Sequence, residues 1–392
     1  MNEDEISVLD LRQLDVLSTL GRGAKGVVFL VRNKSSSGEL FALKTILKSP
    51  ITNKAKKTEC KDKLFEHEVL RLTKHPLLPK LRGIVSTDKI IGYAIDYCPG
   101  RDLNHLRNKQ TERMFSDDVI RFYAAELVIA LDYLHNLGII YRDLKPENVM
   151  IQENGHLMLV DFDLSTRLVL RPQSKDTVVP EPEPEPEPLM KKKKGSSLFW
   201  TCSRVQSIPS EDPFQQVHPA ELEEPSPTKS YSKSNSFVGT EEYIAPEMLQ
   251  NKGHDLTVDF WCLGIVLYEM LYGKTPFKGT NRKETFYKIL TASPELVGEQ
   301  TTLRDLIRKL LVKDPKQRIS TAEIKKHQFF KGVDWENVLE IARPPFVPGP
   351  PDEESIDVNK IDIEAFVQGV FKVSDDVEDK ALKDDFSLFS QF

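Results

Sequence analysis

Tyr141-Arg142-Asp143-Leu144-Lys145-Pro146-Glu147-Asn148, followed at short range by Asp161-Phe162-Asp163, constrains this chain more than any other stretch. Between the two segments, Val149-Met150-Ile151 and His156-Leu157-Met158-Leu159-Val160 read as short strands. Asn154-Gly155 is a hairpin-turn pair, because both residue types tolerate positive φ. Such a hairpin brings Asp143 and Asn148 to one end and sets Asp161 beside them. An acid, a cation, an amide and a second acid are thereby gathered on two turns. That set suits phosphoryl transfer: one carboxylate takes the proton of an attacking hydroxyl, while the amide and the second carboxylate hold a divalent cation on the phosphates. A surface loop that is merely rich in charge has no reason to carry a mechanical role at nearly every position.

Upstream, residues 15–47 read as three strands. The first runs into Gly21-Arg22-Gly23-Ala24-Lys25-Gly26-Val27-Val28. A G-x-G-x-x-G run also opens the helix of dinucleotide-binding turns, but here Val27-Val28-Phe29-Leu30-Val31 continues as a strand. That context favours a hairpin laid over phosphates, whose amides approach through positions lacking Cβ. Residues 33–38 form a turn, and Phe41-Ala42-Leu43-Lys44 is a buried strand ending in a cation. A lone lysine after a strand is ordinarily a solvated edge residue; the glycine loop ahead of it makes Lys44 a phosphate contact. A helix is expected from about 60 to 73, stopped by His75-Pro76. Glu66 and Glu68 are both candidates to pair with Lys44, Glu66 being preferred. Residues 81–86 and 89–97 make a further hairpin, leading into Asp96-Tyr97-Cys98-Pro99-Gly100 as a hinge.

Ser116 is the expected N-cap of a long helix, with Asp117 and Asp118 at the positive end of its dipole and Gly138 at its end. Its apolar positions recur at helical spacing, so it is scaffold that aims the following loop. Character changes at residues 168–229, where Pro-Glu repeats at 180–188 favour an extended solvated segment that need not pack. The lysine run at 191–194 reads either as a solvated face or as an anionic-membrane or import signal. An apolar helix from about 257 to 272 carries Asp259 and Glu269, and buried acids need partners. Asp259 is expected to hold backbone amides of the 141–148 loop, and Glu247 to pair with Arg318. Helices near 302–313 and 321–327 follow. Residues 340–392 are Pro-rich and acidic, and the apolar end of the tail is expected to dock in a groove.

The length, 392 residues with 39% hydrophobic content, allows a sizeable core, and the net charge of −6 argues against nucleic-acid binding as the main activity. Cys60, Cys98, Cys202 and Cys262 have no close pair, which reads as reduced intracellular thiols. The first residues show no signal-peptide pattern, and the longest apolar run, 260–271, is too short to span a bilayer.

Gly21 to Val28, Lys44, Glu66, Tyr141 to Asn148, Asp161 and Ala245-Pro246-Glu247 together resemble a eukaryotic Ser/Thr protein kinase over about residues 14–330. Tyr141, His75-Pro76-Leu77-Leu78-Pro79, Arg343-Pro344-Pro345-Phe346-Val347-Pro348 and the terminal F-x-x-F resemble the AGC group. Asp161-Phe162-Asp163 in place of Asp-Phe-Gly, with the long insertion, resembles the plant class VIII branch. The glycine-rich phrase looks closest to the oxidative-signal-inducible kinase subgroup of plants. The resemblance implies an α+β bilobal kinase fold, with a small five-stranded β lobe carrying one main helix and a larger, mostly helical lobe. Its divisions are an N-terminal extension 1–13, a small lobe 14–97, a large lobe 98–329 interrupted by the 168–229 insertion, and a C-terminal tail 330–392.

The resemblance also assigns roles. Leu20, Gly21, Arg22, Gly23, Ala24, Lys25, Gly26, Val28, Ala42, Lys44, Asp96 and Cys98 would bind ATP, the last two through backbone groups at the adenine edge. Glu66 would hold Lys44 on the α- and β-phosphates. Asp143 would accept the substrate proton, Lys145 would lie near the γ-phosphate, and Asn148 and Asp161 would hold Mg²⁺ or Mn²⁺. Asp102, Glu147, Glu269 and Thr240 would meet the protein substrate, implying a preference for basic residues before the Ser or Thr. Ser236 matches an activation phosphosite, which Arg142 could clamp. Phe389 and Phe392 would dock on the small lobe or on an upstream phosphoinositide-dependent kinase. Contact with anionic lipid, a cytoplasmic location extending to nucleus or plasma-membrane surface, and stress, defence or growth signalling complete the expectation. The rival readings are a pseudokinase, which needs a missing chemical part, and an adaptor acting through the insertion and tail.

Overall fold

The computed structural model describes residues 7–23, 26–34, 38–48, 65–168, 240–250, 253–340, 344–349 and 361–371. Ala24, Lys25, Ser236, Phe389, Phe392 and the insertion beyond residue 168 lie outside them.

The β-branched and aromatic runs near the N-terminus form one antiparallel sheet. Its strands are β1 (Leu14–Arg22), β2 (Gly26–Asn33), β3 (Leu40–Leu47), β4 (Leu81–Ser86) and β5 (Ile90–Asp96), in the order β1-β2-β3-β5-β4. In the β2–β3 register Val28 faces Lys44 and Leu30 faces Ala42, so the period of two puts these four side chains on one face. The opposite face is apolar: Val27, Phe29, Val31, Phe41 and Leu43 are buried there. Helix α1, residues 65–72, packs Val69 and Leu70 against the interlobe core, and Pro76 lies four residues past its end.

The larger lobe is helical. It comprises α2 (Leu103–Asn108), α3 (Asp117–Asn136), α4 (Pro246–Leu249), α5 (Thr257–Tyr272), α6 (Arg282–Thr291), α7 (Thr302–Leu310) and α8 (Thr321–Lys326). Ser116 does sit at the α3 N-cap, but its side chain makes no capping bond; its carbonyl accepts from Ile120 N instead. The helix ends before Gly138, which takes φ 72°. Helix α5 is apolar on every side and is buried from Val258 to Leu271, so it forms the axis of the lobe. Ser320 and Glu323 form a reciprocal capping box that starts α8.

The strands β6 (Ile139–Ile140) and β9 (Thr166–Arg167) pair, as do β7 (Val149–Ile151) and β8 (Leu157–Leu159). At the β7–β8 turn only Gly155 adopts positive φ, at 86°; Asn154 contributes its side-chain oxygen, which accepts from His156 N. A Cβ on Gly155 would also come within 2.4 Å of Phe346 O, so the tail segment 344–349 lies directly on this turn. Leu168 is still part of the large-lobe core and donates its amide to Gly138 O. The packed chain therefore includes the residue at which the insertion was expected to begin.

One element was not anticipated. Residues 363–371 are helical and are labelled α9. Ile363 and Val367 are buried against the outer face of the sheet, and Phe366 meets Phe29 edge to face at 5.6 Å. Among the described residues, no helix is long and apolar enough to cross a membrane.

Candidate active site

A cleft of about 1420 Å³ separates the five-stranded sheet from the helical lobe. Leu20, Gly21, Arg22, Gly23, Gly26, Val28, Ala42 and Lys44 line its upper side; Asp96, Cys98 and Asp102 line the hinge side; Asp143, Glu147, Asn148 and Asp161 line the floor. At Gly26 a Cβ would come within 2.5 Å of Thr45 O, so β2 and β3 can close at this point only with glycine. Nothing lies within 4 Å of a Cβ built on Gly21, which leaves open space beside the strand end.

Lys44 Nζ donates to both carboxylate oxygens of Glu66 and to Asp161 Oδ1, each at 2.9 Å. Glu68 is not the partner; it pairs with Arg167 at 3.0 Å. Burial opposes the charge on Lys44, but Glu66 and the neighbouring acids more than offset it and hold the pKa well above the ordinary lysine value. Burial likewise raises Glu66, to about 7, against the pull of Lys44 and with Asp163 adding to the rise. The Tyr93 hydroxyl donates to Glu66 from the sheet side.

The floor is built by the 141–148 loop. Asp143 accepts from Lys145 Nζ at 2.8 Å, from Asn148 Nδ2 at 2.9 Å and from Thr240 Oγ1 at 3.2 Å. Lys145 also donates to Thr240 Oγ1 at 3.0 Å, so Lys145 and Thr240 join the site although the sequence separates them by almost a hundred residues. Because the Asn148 amide nitrogen is turned to Asp143, its carbonyl oxygen is the atom left for a cation. A carboxamide oxygen here and the Asp161 carboxylate form a hard oxygen donor set, the chemistry that suits a small divalent cation bound with nucleotide phosphates.

The loop is held from below. Asp259, fully buried on α5, accepts from Tyr141 N at 2.9 Å and Arg142 N at 2.7 Å, and its Oδ2 lies 2.7 Å from His135 Nε2. Arg318 donates two hydrogen bonds to Glu247, at 2.7 and 2.9 Å. Glu269 is buried; it pairs with Arg107 at 2.8 Å and accepts from the Tyr243 hydroxyl. Its carboxylate is thus engaged inside the lobe, unlike Glu147 and Asp102 on the cleft wall. Asp102 accepts from His105 N as the N-cap of α2. Burial pushes the Cys98 thiol up to about 12, so at the hinge it is a packing residue.

Four cleft residues were given no role in the sequence reading. Met150 reaches the cleft because it is the outward residue of three-residue β7. Phe346 and Pro348 reach it from the tail, where the only signal was the Pro-rich phrase. Asp163, noted only as a departure from glycine, lies 3.3 Å from Lys44 Nζ.

The family described as "Protein kinase domain" matches residues 14–205 and 222–330. The chain is 56% identical to the serine/threonine-protein kinase OXI1 of Arabidopsis thaliana over 379 residues, covering 94% of this chain and 88% of that protein. It is 44% identical to the serine/threonine-protein kinase UCN and 42% identical to UCNL, both of Arabidopsis thaliana; each match covers 87% of this chain and 85% of the relative.

Proposed function

The chain belongs to the protein kinase family and is a serine/threonine-protein kinase, and on that premise we propose how its own residues divide the work. The family implies ATP and a divalent cation, which when bound supply the phosphoryl group and neutralise charge on it. Asp143 accepts the proton of the substrate hydroxyl. Lys145, which bridges Asp143 and Thr240, would supply the adjacent positive charge for the γ-phosphate. Lys44, aligned by Glu66, binds the α- and β-phosphates, and Gly21, Gly23 and Gly26 let the strand end close over them. Asn148 and Asp161 would hold the cation, for which Mg²⁺, or Mn²⁺ in its place, fits the oxygen donor set. Leu20, Val28 and Ala42 pack on adenine, with backbone groups of Asp96 and Cys98 at its edge. Catalysis is then chiefly positioning and preorganised charge.

The observation that carries this reading is the single cluster in which Lys145, Asn148 and Thr240 all point at Asp143 while Asp161 stands across the floor at Lys44. Every chemical part of the set is present among the described residues. Protein substrates follow from the family. The finer preference for basic residues before the Ser or Thr draws on Glu147 and Asp102 at the cleft wall. Lipid contact through residues 191–194 draws on the charge of that lysine run, whereas activation by phosphate on Ser236 and docking of Phe389 and Phe392 on an upstream phosphoinositide-dependent kinase draw on sequence resemblance. So do a cytoplasmic, nuclear or membrane-surface location and a role in plant stress, defence or growth signalling.

The test is Mg²⁺-ATP phosphorylation of a basic Ser/Thr peptide by wild type and by Asp161→Asn. Transfer by wild type that is lost in the variant is expected. No transfer by wild type, even with Ser236 phosphorylated and an upstream kinase present, would overturn the assignment.

A further inference from the structure

Asp163 has no part in the division of roles above, yet it lies at the centre of the site's charge. Its Oδ2 is 3.3 Å from Lys44 Nζ, and Glu66, Asp161 and Asp163 each place a carboxylate oxygen within 4.8 Å of the others. The Lys44 ammonium sits among these three acids, which accounts for their approach without a further cation.

The segment is therefore fastened at three successive residues. Asp161 accepts from Lys44. Phe162 is buried, meets Tyr141 edge to face at 5.5 Å, and donates its amide to Glu66 Oε1 at 3.4 Å. Asp163 pairs with Lys44. These contacts are not equivalent once a nucleotide binds. A cation held by Asp161 would compete with Lys44 for its carboxylate, whereas Asp163, which is not assigned to the cation, would keep its contact with Lys44. Asp163 also lies outside the left-handed region that Asp161 adopts at φ 63°, so its Cβ is accommodated without strain in this arrangement. A glycine at 163 would widen the conformations open to the segment; the aspartate narrows them.

We propose that Asp163 is a positioning residue: its charged contact with Lys44 keeps Phe162 in its pocket and Asp161 aimed at the cleft. It acts through Lys44 and Phe162 and touches no reacting atom. The proposal rests on the kinase reading for the meaning of the cleft, but its readout does not require turnover.

The test uses the full chain and two ligands of the ATP cleft, one filling the adenine region alone and one that must displace Phe162 and occupy its pocket. Affinities are measured by calorimetry for wild type, Asp163→Gly and the near-isosteric Asp163→Asn. Both variants are expected to bind the Phe162-displacing ligand on the order of tenfold more tightly than wild type, because a ligand selecting the displaced state gains by whatever that state is made easier to reach. Adenine-region binding should stay within about twofold, since uniform damage to the fold would weaken both ligands together. Equal affinities in all three proteins would overturn the proposal. So would a gain in Asp163→Gly alone, because that would place the effect in the glycine backbone and not in the ion pair. Absence of phosphate transfer by wild type in the peptide assay would sink the kinase reading and leave this comparison standing.

Discussion

Arg142 and Asp161 are non-glycine residues at φ 68° and 63°, a conformation that costs on the order of 1–3 kcal/mol each when the surroundings do not impose it. At Arg142 the surroundings do. Its amide donates to Asp259 Oδ1 at 2.7 Å and its Nε to Leu164 O at 2.6 Å. Its Nη1 lies 3.5 Å from His254 Nε2. His254 is buried, and burial together with the Arg142 guanidinium pushes its pKa down to about 4, against opposing pulls from Glu247, Asp259 and Asp255. Between about 4 and the ordinary 6.5, the unfolded chain binds a proton at this residue that the folded chain does not. His254 therefore adds stability as pH rises through that window and removes it as pH falls. Glu66, raised from 4.5 to about 7, has the opposite slope over most of the same range, so only a difference measurement isolates the histidine. Thermal melts from pH 4 to 7 should show the wild type losing more stability than His254→Gln on acidification. Parallel curves would contradict the assignment.

Among elements, α4 is tied to the loop between α7 and α8 by one buried ion pair. The Arg318 side chain is 0% exposed and Glu247 3%, and Arg318 also donates to Thr257 O and Val312 O while lying over the Trp261 ring. Removing one member strands the other charge in the core, which typically costs about 3–5 kcal/mol. Glu247→Gln should therefore lower the denaturation midpoint strongly, whereas a midpoint within a degree of wild type would show that the pair is not needed. This pair was expected from the sequence, where a buried acid demands a partner. Helix α9 was not, although Ile363, Phe366, Val367 and Val370 recur at helical spacing; the surrounding Pro-rich, acidic composition outweighed a nine-residue signal. Arg22 at the end of β1 donates to Val370 O and lies 5.8 Å from the Phe371 ring, so α9 touches the strand that leads into the glycine turn. Val367→Asp places a charge in a fully buried site and should lower stability by about 2 kcal/mol or more. Hydrogen exchange in β1 to β3 should quicken in that variant; unchanged protection there would show that α9 does not support the sheet.

Across the whole molecule, most of what the sequence disclosed was local, the Lys44–Glu66, Glu247–Arg318 and Asp259–loop pairings being the long-range exceptions. The 141–163 hairpin carries its chemistry within one short segment, and hairpin geometry follows from turn chemistry, so Asp143, Asn148 and Asp161 could be placed together without knowing the fold. Lys145–Thr240, Asp163–Lys44 and Phe346 on the Gly155 turn depend on contacts between distant segments, for which a single sequence offers composition but no geometry. Asp259 connects the two kinds of information. It belongs to α5, the most buried helix, yet its two oxygens fix the amides of Tyr141 and Arg142 and reach His135 on α3. The packing of the large lobe is thereby transmitted to the position of Asp143. Asp259→Asn keeps the volume but replaces one accepting oxygen with a donor facing backbone N–H groups, at a stability cost of about 1–3 kcal/mol. The folded fraction of that variant should show kcat reduced on the order of 10²-fold, because a shift near 1 Å in a positioned group has that effect. KM for ATP should change little, since Lys44, Glu66 and the glycine turn belong to the other lobe. An unchanged kcat in a variant with wild-type melting would mean that the loop holds its strained geometry without α5; a rise in KM alone would mean that Asp259 serves the nucleotide and not the transfer.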